Sequence, residues 1–113
     1  MGIKILWQMD GPVLADSVDP LHGDRQFVND QLLKFARGVA RPGTEIVEGH
    51  LDPWTSCNWL LYPRTVAKVA VLNRVIEAEK EGYDAVFPGI SFDDYFLEEC
   101  RQAVKIPVLG AGE

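Results

Sequence analysis

The feature that most constrains this chain is a repeated switch of hydrophobic period, from short β-branched runs to stretches spaced three and four residues apart. Residues 3–8 form a β-branched and aromatic run ending at Met9-Asp10-Gly11-Pro12, which predicts a buried strand and then a loop reaching about residue 22. From residue 24 the apolar positions Val28, Leu32, Phe35 or Ala36, and Val39 recur at helical spacing until Arg41-Pro42-Gly43 stops them. Residues 44–51 read as a second strand. The aromatic-rich stretch 53–62 then leads to Pro63, which suits a first helical turn. The second helix carries the stripe Val66, Val69, Leu72 or Asn73, and Ile76, and Gly82 is fit for a left-handed stop. Residues 84–88 read as a third strand. Ser91-Phe92-Asp93-Asp94 opens a third helix with Phe96, Cys100 and Ala103 or Val104 on its buried face, and residues 106–109 form a fourth strand.

Strand and helix alternate throughout, so the expectation is an α/β domain spanning residues 1–113. Its centre is a parallel sheet of about four strands, with helices on both faces because parallel neighbours need right-handed crossovers. In such a sheet the functional end is the carboxyl edge of the strands. The segments to inspect therefore begin at Gln8, His50 and Gly89, together with the tail 110–113. That tail lacks the glycine spacing and following helix of a nucleotide loop.

Composition narrows the function classes. The 113 residues are 47% hydrophobic and 25% charged, a globular balance. Seventeen acidic against eleven basic residues give a formal charge of −6, and no Lys/Arg cluster offers a patch for nucleic acid or an acidic membrane. The apolar run at residues 3–7 is too short for a secretory core or a membrane span. Cys57 and Cys100 then read as reduced thiols of a cytoplasmic chain.

Several phrases in these positions resemble the aspartate/glutamate/hydantoin racemase family. They are Ile3-Lys4-Ile5-Leu6-Trp7-Gln8, Ala40-Arg41-Pro42-Gly43-Thr44-Glu45-Ile46, Glu48-Gly49-His50-Leu51-Asp52, Glu77-Ala78-Glu79-Lys80-Glu81-Gly82-Tyr83-Asp84-Ala85-Val86, and Arg101-Gln102-Ala103-Val104-Lys105-Ile106-Pro107-Val108-Leu109-Gly110 with Glu113. Each is weak alone; their order and spacing carry the resemblance. It implies the first, flavodoxin-like half of a two-domain racemase that needs no cofactor. It also implies one cysteine from each half on opposite faces of the substrate, because inverting a carbon beside a carbonyl needs a base on one side and an acid on the other.

The family's first cysteine follows the third strand, and here that phrase reads Gly89-Ile90-Ser91-Phe92-Asp93-Asp94. Alignment from the strand puts Ile90 at the cysteine's place, and alignment back from Arg101 puts Ser91 there. Neither supplies a thiol, and a serine hydroxyl cannot replace a thiolate base without a strong partner. Cys100 falls on an apolar helical stripe and reads as a small buried hydrophobe, and Cys57 lies off the family's motif. The family's Asn-Pro-Asn type phrase after the first strand is replaced by Gln8-Met9-Asp10-Gly11.

Ser91 is accordingly the candidate catalytic residue by resemblance. Its structural reading is a Ser-x-x-Asp capping box with Asp94. Gln8, Asp10, Gly89, Ile90, Phe92 and Asp93 are the candidate substrate-binding residues. Glu48, His50 and Asp52 alternate, which puts them on one strand face, but a single imidazole with no second ligand at metal spacing reads as a solvated strand end. His22 is assigned no role. Trp54, Trp59 and Tyr62 with Leu60 and Leu61 form an apolar cluster that either packs over the sheet or forms part of a self-association surface, the latter being favoured. The expectation is a racemase-like domain that takes a small carboxylate or a hydantoin-like, amide-bearing ligand. No cofactor, metal, nucleic acid or membrane is implied, and the expected assembly is a homodimer or a pairing with a partner half-domain. The rival is a noncatalytic binding or scaffolding module, or a truncated racemase-like gene product.

Overall fold

The computed structural model describes residues 2–9, 25–51, 61–88 and 97–110. These residues form strand β1 (Lys4–Gln8), helix α1 (Arg25–Val39), strand β2 (Glu45–Gly49), helix α2 (Leu61–Lys80), strand β3 (Ala85–Pro88) and helix α3 (Leu97–Ala103). The predicted alternation is present, and the bounds of β1, α1, β2, α2 and β3 lie within about two residues of those read from the sequence, while the expected start of the third helix at residues 91–94 lies outside the described residues.

All strand pairs are parallel, in the order β2-β1-β3. The central strand is therefore the first in sequence, and the chain reverses its direction of travel across the sheet there. Right-handed crossovers then set α1 and α2 on opposite faces. Leu6 stands beside Val47 on one side and Val86 on the other. That face packs against Val71, Val75 and Ala78 of α2 and Leu97 and Cys100 of α3 to make the main core. The other face carries Trp7 beside Glu48 and Phe87. Trp7 and Phe87 meet edge to face, their ring centroids 5.5 Å apart, an arrangement that aromatic quadrupoles favour.

Residues 106–109 do not make a full strand. They contribute one parallel bridge, Val108 beside Val86. Val86 N donates to Pro107 O at 3.0 Å and Leu109 N donates to Val86 O at 2.9 Å. Two side chains hold this segment. Arg101 of α3 donates from Nε and Nη2 to Val108 O, and Glu79 Oε1 of α2 accepts the backbone N–H groups of Lys105 and Ile106.

In both long helices the buried face coincides only in part with the stripe read by spacing, Leu72 and Ile76 of α2 packing against the core as expected. In α2 the buried residues are Ala67, Val71, Val75 and Ala78, whereas Val69 is 50% exposed. Apolar residues run around most of this helix, so spacing alone does not choose a face. Ala67 and Ala78 are small enough to let the helix lie close on the sheet. In α1, Leu33 is buried and Leu32 and Ala36 are half-buried, so the stripe runs through Ala36 rather than Phe35, while Phe35 and Val39 are exposed and the side chain of Val28 lies outside the described residues. In α3, Cys100 and Val104 are buried as expected, Leu97 joins them, and Ala103 is exposed. Gly82 ends α2 with φ +91°, the left-handed stop expected of it. No described helix is long and apolar enough to cross a membrane.

Candidate functional site

The three strands end at one level. Gln8 is the register partner of both Gly49 and Pro88, and Met9 N donates to Gly49 O at 2.8 Å. At this carboxyl edge the chain leaves each strand for a segment outside the described residues. Asp10, Gly89, Ile90, Ser91, Phe92 and Asp93 all lie in those segments, as do Cys57, Asp52, His22, Asp94, Phe96, Trp54 and Trp59. Of the candidate site residues, Gln8 is the one whose geometry is described.

Gln8 is completely buried. Its Nε2 donates to Met9 O at 2.9 Å, while Oε1 has no hydrogen-bond partner among the described residues. The carbonyl of Met9 can only accept, so it determines which end of the amide is nitrogen. The side chain lies across β2 over Gly49. A Cβ at position 49 would fall on Gln8 Oε1 and 3.1 Å from Leu6 Cδ1, so this strand residue is glycine because the glutamine occupies its side-chain space. The outcome is a buried carbonyl acceptor, aligned by its own backbone, with nothing to accept from among the described residues.

On the opposite sheet face sits a second polar group. Glu48 Oε1 and His50 Nε2 are 3.0 Å apart, with only 15% and 17% of their respective side-chain areas exposed. The solvated strand end expected from the sequence is thus not what forms. The contact is electrostatic and lacks hydrogen-bond alignment, so Glu48 Oε1 is left without a donor, and His50 Nδ1 and Trp7 Nε1 are also buried and unpartnered among the described residues. Trp7 is the register partner of Glu48, so indole, carboxylate and imidazole share one corner of the sheet. An open groove between α1 and β2, lined by Asp30, Leu33, Arg37, Ile46 and Glu48 among others, reaches the same strand. Arg37 bridges its walls by donating from Nη2 to Ile46 O.

The alternation of Glu48 and His50 put them on one face from the sequence. The part of Trp7 was missed because it depends on strand register, which periodicity does not encode. Among the described residues no group of three His, Cys, Asp or Glu side chains is arranged to hold a metal.

Cys100 is 1% exposed on α3. Burial, and secondarily the charge of Glu99, pushes its thiol up to about 11. It carries almost no thiolate at neutral pH and sits in the core as a small hydrophobe, as its helical position implied. Comparison of the chain with family models, curated proteins and solved structures returns no match.

Proposed function

We propose that this chain is a racemase-like α/β domain that binds a small ligand at the carboxyl edge of its sheet. In this reading Val108, bridged to Val86 of β3, marks the place of a fourth strand beside β3 in a flavodoxin-like sheet, in a cytoplasmic protein that uses no cofactor. The observation that carries the proposal is Gln8: a fully buried amide at the end of the central strand whose Oε1 has no donor among the described residues. An unsatisfied buried acceptor costs about 1–3 kcal/mol, and a ligand N–H removes that cost. A hydantoin-like or amide-bearing ligand suits this acceptor better than a bare carboxylate, which brings only acceptors of its own. Asp10 and residues 89–93, including Ile90 or Ser91 at the family's cysteine place, would complete the site from the neighbouring loops. A twofold homodimer, or a partner half-domain, would cover the exposed Phe35 and Val39 on α1.

Cys100 favours a second reading, a binding module in which this thiol does no chemistry, since it is buried and protonated at neutral pH. The binding test applies to both readings. Titration of the full chain with 5-methylhydantoin, aspartate and glutamate, followed by NMR of the Gln8 side-chain amide, is expected to shift that amide with the hydantoin and to lose binding in Gln8→Leu. No shift with any of the three overturns the proposal.

A further inference from the structure

Among the described residues β2 is an outer strand of the sheet, with β1 on one side and no strand on the other. Glu45 N donates to Ile3 O and Met9 N donates to Gly49 O, so residues 45, 47 and 49 pair with β1. Parallel pairing alternates along a strand, so the backbone N–H and C=O groups of Ile46 and Glu48 point away from the sheet. An outer strand of this kind is a template for one more. The outward carbonyl of Ile46 already accepts from a side chain, Arg37 Nη2, at 3.0 Å.

The open groove between α1 and β2 runs along this edge. One side is formed by the consecutive residues 43–48, nearly the whole length of β2, and the other by Asp30, Leu33 and Arg37 on one side of α1. A strand edge facing a helix across a groove is a setting in which extended peptides add to a sheet, their main chain pairing with the strand. Charge selects the occupant. Asp30, Glu45 and Glu48 bring three carboxylates against the single guanidinium of Arg37, and Glu48 Oε1 has no hydrogen-bond donor among the described residues. A second copy of the strand would set these carboxylates against their own kind, on a chain of formal charge −6. A basic segment meets opposite charges instead.

We propose that the outer edge of β2 binds an extended basic peptide segment of another protein, which adds to the sheet as a strand beside Ile46 and Glu48. Peptide N–H and C=O groups take up the outward backbone groups of these two residues, and a peptide N–H replaces Arg37 at Ile46 O. Lysine or arginine side chains of the peptide meet Asp30, Glu45 and Glu48. The surface is separate from Gln8 on the central strand and needs no part of the racemase-like reading. It is separate from Phe35 and Val39 as well: at about 100° per residue these fall on the side of α1 roughly opposite Leu33 and Arg37.

The test uses the full chain, nitrogen-labelled for NMR, and three synthetic hexapeptides: alternating lysine and valine, alternating glutamate and valine, and the lysine form with its backbone nitrogens methylated. In the unliganded chain the amides of Ile46 and Glu48 are expected to exchange quickly with solvent. The lysine peptide is expected to shift both and slow their exchange, the glutamate peptide to leave both unchanged, and the methylated peptide to bind about 10-fold more weakly or worse. Glu48→Gln is expected to weaken binding severalfold, while Glu77→Gln, at an exposed carboxylate on α2, leaves it unchanged. Arg37→Ala is expected to tighten binding, since it removes a like charge and the donor at Ile46 O, a change of sign that general loss of structure would not produce. If Glu48→Gln does not fold, the three peptides on the wild-type chain decide the question. Failure of the lysine peptide to bind overturns the inference, and so do Ile46 and Glu48 amides already protected in the unliganded chain, by a second copy or otherwise. Equal binding of the methylated peptide overturns it too, as does equal weakening by Glu77→Gln and Glu48→Gln, the mark of general attraction to an acidic protein. Hydantoin that shifts the Gln8 amide leaves the carboxyl-edge reading standing in either case.

Discussion

At the scale of single residues, two positions test whether the buried polar and thiol groups are placed as described. Gly49 and Gln8 share one volume, so Gly49→Ala is expected to destabilise the protein by about 1–3 kcal/mol, the usual cost of overpacking. In a Gln8→Ala background the same substitution should cost markedly less, because the atoms it would strike are gone. A double-mutant cycle by urea denaturation measures that difference, and equal costs in both backgrounds would remove Gln8 from its place over β2. Cys100 gives a pH-dependent counterpart. Its thiol is raised from 9.0 to about 11 in the folded chain, so the native state holds a proton that the unfolded chain releases above pH 9. The associated stability, of order 2 kcal/mol, is therefore fully present below pH 9 and disappears as pH rises from 9 to 11. Stability curves of wild type and Cys100→Ala should converge over that window, and a thiol reagent at pH 8 should label Cys100 only on unfolding.

At the scale of elements, the phase of α2 is the informative case. Val75 is fully buried against β1 and β3, while Val69, six residues earlier, is half exposed. Val75→Ala should cost about 2 kcal/mol and Val69→Ala less than about 0.5 kcal/mol, as read by thermal or urea unfolding. The reverse ranking would restore the stripe read from spacing. Glu79 belongs to the same helix but acts on the segment after α3, where it accepts two backbone N–H groups. Glu79→Ala should accelerate hydrogen exchange of the amides at residues 104–108 while leaving those of β1 protected, because the lost acceptor serves only that turn.

At the scale of the whole molecule, the described faces differ in how well they are covered. The face of Leu6 and Val86 is sealed by α2 and α3, whereas α1, which packs on β2, leaves Phe35 70% and Val39 68% exposed one turn apart. If the proposed homodimer uses this stripe, Phe35→Ser with Val39→Ser should convert it to a monomer in sedimentation analysis. A wild-type chain that sediments as a monomer would remove that assembly.

Much of this was legible in the residues themselves. The switch between strand and helix periods is a local property of the chain, and so are the stop at Gly82 and the apolar character of Cys100; each follows from backbone and side-chain preferences that neighbours in sequence decide. The shared face of Glu48 and His50 was legible for the same reason, since alternation along a strand is geometry internal to that strand. Which side of α1 and α2 meets the sheet was not legible, because their apolar residues allow more than one phase and only the facing surface selects among them. Nor was the company of Trp7 with Glu48, or of Gln8 with Gly49, residues some forty positions apart. Parallel register is fixed by the simultaneous packing of both sheet faces, and that long-range constraint turns ordinary strand-end side chains into buried polar groups with unmet hydrogen bonds.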